Sequence, residues 1–68
     1  MRLHINGEDK DFPELPNLAA LIEHLGAKSD RVAVELNRDI VPRARWEETP
    51  IHQGDRLEIV HFVGGGCQ

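Results

Sequence analysis

Gly54-Asp55-Arg56-Leu57-Glu58-Ile59-Val60-His61-Phe62-Val63-Gly64-Gly65-Gly66 joins a turn, an alternating strand and a glycine run in one block. Gln53-Gly54-Asp55 is a turn signal, and residues 56–62 alternate as a β-strand does. Leu57 and Ile59 then point into a core, while Glu58, Val60 and Phe62 share the other face. Such a strand is either central and covered on both sides, or it leaves Val60 and Phe62 exposed as a patch on which a partner docks beside Glu58. After Val63 the glycines offer no side chain to pack. The folded domain is therefore expected over residues 1–63, with residues 64–68 as a mobile tail.

Working back from this strand, Val32, Val34 and Leu36 share one face opposite Ala33 and Glu35, which predicts another strand over residues 31–37. Asn37-Arg38-Asp39 is a turn leading to a short extended piece at Ile40-Val41. Residues 42–50 show no clear period and read as a connector with a single helical turn around Trp46, which seals one end of the core. Leu18, Leu21, Ile22 and Leu25 form one apolar helical stripe. Asn17 suits the N-cap and Gly26 a left-handed C-cap. At the start, Leu3 and Ile5 alternate against Arg2 and His4. Asn6-Gly7 suits a tight hairpin, and residues 8–12 are charged enough for an exposed sheet edge. The order strand, strand, helix, strand, short strand, strand predicts an α+β, β-grasp (ubiquitin-like) fold. It has a mixed sheet of four to five strands, one main helix packed across it, and the first and last strands as parallel neighbours.

With 68 residues the chain is one domain, and one so short buries only about 60% of its unfolded surface. A deep catalytic cleft is hard to build beside so small a core. The net charge of −4 disfavours nucleic acid. Arg31, Arg38, Arg43 and Arg45 are interleaved with Glu35, Asp39, Glu47 and Glu48, a mixed solvated surface rather than a phosphate track. No apolar run is long enough for a bilayer and residues 1–4 carry no signal-peptide pattern, so no membrane association and a cytoplasmic location are expected. The single cysteine allows no internal disulfide. His4, His24, His52 and His61 match no common metal-ligand spacing, so no metal is expected. His24 is expected to face solvent and His61 to be half-buried. No catalytic constellation or phosphate loop emerges.

Three glycines after an apolar strand are more than a cap or hairpin needs. They are either a frayed end or a segment threaded into a narrow tunnel of a partner enzyme, where missing side chains permit close backbone approach. A terminal glycine carboxylate would present an unhindered carbon for activation and nucleophilic attack.

Val32-Ala33-Val34-Glu35-Leu36-Asn37, Ile40-Val41-Pro42-Arg43 and above all the block from Gly54 to Gly66 resemble the ThiS family of thiamine-biosynthesis sulfur carriers, over essentially the whole chain. The resemblance implies a protein co-substrate rather than an enzyme, with no permanently bound cofactor. A ThiF-type, E1-like adenylyltransferase would use ATP-Mg to adenylate the carboxylate of Gly66. A sulfur donor such as a cysteine desulfurase or rhodanese-like protein would convert it to a thiocarboxylate, and thiazole synthase would receive the sulfur. Val63, Gly64, Gly65 and Gly66 would thread into the partner, and Glu58, Val60 and Phe62 would dock on it.

The family pattern stops at the last glycine, whereas this chain continues with Cys67-Gln68. The Gly66 carbonyl is then held in a peptide bond. The leading expectation is a pro-form matured by a peptidase between Gly66 and Cys67. A cloning residue, or a persulfide on Cys67 itself, are the other readings; nothing basic adjoins Cys67 to lower its pKa. Related carriers serve cysteine, methionine, molybdopterin or specialised-metabolite pathways. A non-covalent β-grasp interaction module, for which the tail would be dispensable, is the alternative from another class.

Overall fold

Leu3 and Ile5 are buried while Arg2 and His4 face outward, and this alternation builds β1 (Arg2–Ile5). The computed structural model describes residues 1–62, so the expectations for Val63, Gly64, Gly65, Gly66, Cys67 and Gln68 lie outside the described residues. Asn6 (φ 51°) and Gly7 (φ 85°) make the tight turn into β2 (Glu8–Asp11). Positive φ at both central residues matches the twist of the flanking strands. All four β2 side chains are exposed, as expected of a charged edge strand.

Helix α1 (Leu18–His24) starts where Asn17 Oδ1 accepts from Ala20 N–H at 2.8 Å. Its end is a Schellman motif: Ala27 N–H donates to Ile22 O and Gly26 N–H to Glu23 O, with Gly26 at φ 76°. Leu18, Leu21 and Ile22 are buried, but Leu25 is 39% exposed. The expected apolar stripe is thus one residue too long, because the helix has already ended at His24. Asn17 also donates through Nδ2 to Glu47 O at 3.1 Å. Leu18 N–H donates to Thr49 O, so the helix start is stitched to the connector. Asn17→Ala removes the cap and the bond to Glu47 together, leaving the Leu18–Thr49 bond, and is expected to cost about 1–2 kcal/mol, read as a lower urea midpoint at unchanged m-value.

Strand β3 (Val32–Leu36) follows a short 3-10 helix at Ser29–Arg31, which the sequence reading did not anticipate. Asn37 (φ 51°) and Arg38 (φ 75°) turn the chain into the two-residue β4 (Asp39–Ile40). The connector holds a longer 3-10 helix than the single turn expected, Arg43–Glu48. Bonds spaced three residues apart leave no 3.6-residue hydrophobic period to read. Trp46 is buried from it and donates Nε1–H to Val41 O at 2.9 Å, so it seals the core with its one polar atom satisfied. Strand β5 (Arg56–His61) closes the sheet, and Phe62 N–H still donates to Arg31 O at 2.7 Å.

The sheet order is β2-β1-β5-β3-β4, with β1 and β5 parallel and the other pairs antiparallel. This is the mixed five-stranded β-grasp arrangement. Leu18, Leu21 and Ile22 of α1 join Leu3, Ile5, Val34, Leu57 and Ile59 in one buried cluster on a single face of the sheet. Each such fully buried aliphatic side chain contributes about 1.5–3 kcal/mol. The whole buried cluster draws on residues from Leu3 to Ile59. Among the described residues, no helix is long and apolar enough to cross a membrane.

Candidate functional site

The face of the sheet turned away from α1 is set by the strand period. With Leu57 and Ile59 inward, Arg56, Glu58, Val60 and Phe62 face out along the central strand. Register places Ala33 beside Val60 and Glu35 beside Glu58, and on the far side Glu35 beside Ile40. The outer face of β5 is uncovered: Val60 is 56% and Phe62 55% exposed. Of the two readings of this strand, the exposed one holds. Expected burial of His61 does not: it is exposed, because the core cluster reaches its ladder partner Val32 but stops short of the strand's last residue.

Ile40 is 74% exposed and extends the apolar strip across β4, a contribution the sequence reading missed. A two-residue strand carries no period, so only its ladder partner shows which way Ile40 faces. Ala33, Val34, Glu35, Ile40, Glu58 and Val60 line a shallow depression of about 100 Å³. Arg38 and Arg56, with Glu35 and Glu58, line the groove alongside. Arg38 holds a left-handed backbone without being glycine, a conformation that costs about 1 kcal/mol or more. An apolar centre inside a rim of both charge signs is the usual anatomy of a protein-docking patch.

The other half of the same face, on β1 and β2, is polar. Arg2 holds Asp11 through Nε at 3.0 Å and through a second guanidinium nitrogen at 3.2 Å. His4 Nδ1 lies 2.7 Å from Asp9 Oδ1. The hydrogen bond from Arg2, and then its charge, hold the Asp11 carboxyl below its ordinary pKa, and Arg2 is raised in turn. A depressed folded-state pKa contributes stability that is present above the unfolded value and lost as pH falls through the folded one. Asp11 is fully exposed, so this contribution is small. By NMR titration, Asp11 is expected to titrate below an ordinary aspartate, and Arg2→Ala to move it back up.

The histidines stand apart. His24 packs edge-on against Phe12 at 5.7 Å between ring centres while remaining exposed, and His52 sits 3.9 Å from Asp55. Among the described residues no group of three or more His, Cys, Asp or Glu is placed to hold a metal ion. Glu58, Val60 and Phe62, predicted as docking residues, do share one surface, and it lies on the strand that runs on toward Val63.

Residues 3–66 match the model of the ThiS family. The chain is 37% identical to the sulfur carrier protein ThiS of Bacillus subtilis over 68 residues, covering 94% of this chain and 98% of that one. It is 46% identical over 66 residues to a thiazole synthase of Paramagnetospirillum magneticum, covering 97% of this chain but only 20% of that protein. This chain thus spans about a fifth of the length of the thiazole synthases that it matches. The crystal structure of the thiamine biosynthesis protein ThiS from Geobacter metallireducens superposes with a TM-score of 0.82 at 33% identity, covering 97% of this chain and all of that one. Fold and sequence agree, and the chain belongs to the ThiS family.

Proposed function

We propose that this chain is a sulfur carrier of thiamine (thiazole) biosynthesis, a protein co-substrate that is passed between enzymes and is not itself a catalyst. The observation that carries this reading is the exposed patch of Val60 and Phe62 at the end of β5, followed two residues on in the sequence by Gly64-Gly65-Gly66, in a chain of the ThiS family. A partner that grips the patch has the tail within reach.

While Gly66 is joined to Cys67 it has no carboxylate. Hydrolysis of that bond by a maturing peptidase consumes one water and frees it. A ThiF-type adenylyltransferase then uses ATP-Mg as its second substrate. An oxygen of the Gly66 carboxylate attacks the α-phosphorus and pyrophosphate leaves, giving an acyl-adenylate. The terminal sulfur of a persulfide on a cysteine desulfurase or rhodanese-like donor attacks the acyl carbon and AMP leaves. A second thiol cleaves the resulting S–S bond and is oxidised to a disulfide, leaving the thiocarboxylate at Gly66. Its nucleophilic sulfur is delivered to thiazole synthase without release of free sulfide. Catalysis in each step belongs to the partner; this chain contributes placement of the reacting carbon. Covalent union of a similar segment with a much longer chain in proteins named thiazole synthase supports action at that enzyme.

The test is ATP–pyrophosphate exchange with a ThiF-type enzyme. A chain ending at Gly66 is expected to support exchange and the chain with Cys67-Gln68 attached is not. Exchange with neither chain would remove the carrier reading and favour a non-covalent interaction module. Exchange with a ThiF-type enzyme but no sulfur delivery to thiazole synthase would point to a carrier for another pathway.

A further inference from the structure

Strand β5 outlasts its parallel neighbour. The β1–β5 ladder pairs His4 with Arg56 and Ile5 with Leu57, and Asn6 N–H then donates to Leu57 O at 2.9 Å. At that point the chain turns away through Asn6 and Gly7 into β2. The next main-chain groups of β5 on that side, those of Ile59, would face no strand. The Asn6 side chain occupies the gap: Oδ1 accepts from Ile59 N–H at 2.7 Å, and Nδ2 donates to Ile59 O at 3.1 Å. A carboxamide has the donor and acceptor of a peptide group, so it stands in for one more residue of β1. The left-handed backbone at φ 51° that makes the turn is also what brings this side chain back to β5.

We propose that Asn6 is a positioning residue for the carrier tail. On the other side β3 holds β5 as far as Val32–His61 and Arg31–Phe62. Without the Asn6 clamp, everything beyond Leu57 would be held along one edge only. Pairing with β3 keeps Val60 and Phe62 in the sheet, while the clamp fixes the other edge of β5 and with it the angle at which the strand reaches Phe62, the last described residue. This rests on the proposed carrier function and says which residue aims the tail. Misplacement of a reacting group by about 1 Å can cost on the order of 100-fold in rate. Such a loss falls on the chemical step, whereas docking through the outer face remains.

The test compares Asn6→Gly, which tolerates the same backbone and lacks the amide, with Asn6→Asp, which keeps an acceptor for Ile59 N–H but loses the donor. Chains ending at Gly66 retain every described contact and serve as substrates for a ThiF-type enzyme; amide hydrogen exchange is followed on the full chain. For Asn6→Gly, kcat for adenylation is expected to fall about 5- to 20-fold with KM within about twofold, a fraction of the full misplacement loss. Exchange at the Ile59 amide should accelerate alongside, and Asn6→Asp should lie between glycine and wild type in both readouts. Unchanged kcat, or a fall matched by loss of folded protein in the circular dichroism signal, would overturn the inference. Wild-type chain that is not adenylated at all would instead remove the carrier function, and this inference with it.

Discussion

A chain ending at Gly64 is expected to fold like the full chain yet to form no acyl-adenylate, with activation at least about 10³-fold below that of a chain ending at Gly66. The structural half follows from the core: among the described residues, its buried side chains run from Leu3 to Ile59. Urea midpoints of the two chains should coincide. The chemical half is a matter of reach. A residue extends the chain by at most about 3.3–3.6 Å, so removing two withdraws the terminal carboxylate by about 7 Å. In-line attack needs the reacting atoms about 3–3.5 Å apart, and a domain seated through Val60 and Phe62 cannot advance to make up the difference. Activity in the shortened chain would mean that the glycines are a spacer of no fixed length, and would detach the outer face from the chemistry.

The second large effect concerns that face. Val60→Asp and Phe62→Asp together are expected to raise KM for the activating enzyme by about two to three orders of magnitude. Central apolar residues of an interface cost about 2 kcal/mol or more when lost, and every 1.4 kcal/mol is about tenfold. The new carboxylates would also stand beside Glu58 and add repulsion. Both side chains are more than half exposed, so little core is lost. Strand propensity sets the structural cost at about 1 kcal/mol or less per site. Ile40→Asp, at the far end of the strip, should give a smaller change in the same direction. A patch variant that folds and keeps wild-type KM would relocate the docking surface.

Much of this architecture was legible in the sequence because its signals are short-range. Leu57 and Ile59 alternate with Glu58 and Val60; Asn6-Gly7 demands positive φ; Asn17 and Gly26 bracket an apolar stripe. Each feature acts within a few residues, and the structure has them as read. What escaped depends on where an element ends, on a helix type without a readable period, or on contacts made far along the chain. Leu25 continues the stripe by spacing but is the C-cap residue, inside the Schellman motif and past the last helical residue. His61 has the parity of a core residue and ends its strand in solvent. The 3-10 helix around Trp46 has no 3.6-residue period to betray it. Ile40 faces outward only because β4 pairs with β3 as it does. Asn6 could be read as a turn residue, but its grip on Ile59 spans 53 positions and no local pattern encodes it. The patch of Glu58, Val60 and Phe62 was readable as a face; its exposure followed only once the helix was seen to lie on the other side.

Whether the chain carries sulfur at Gly66 can be read by intact mass spectrometry of the protein recovered from its native host during growth that demands thiamine synthesis. A mass ending at Gly66, with one terminal oxygen replaced by sulfur in part of the population, is the predicted result. A uniform mass that retains Cys67 and Gln68 and carries no added sulfur would contradict it.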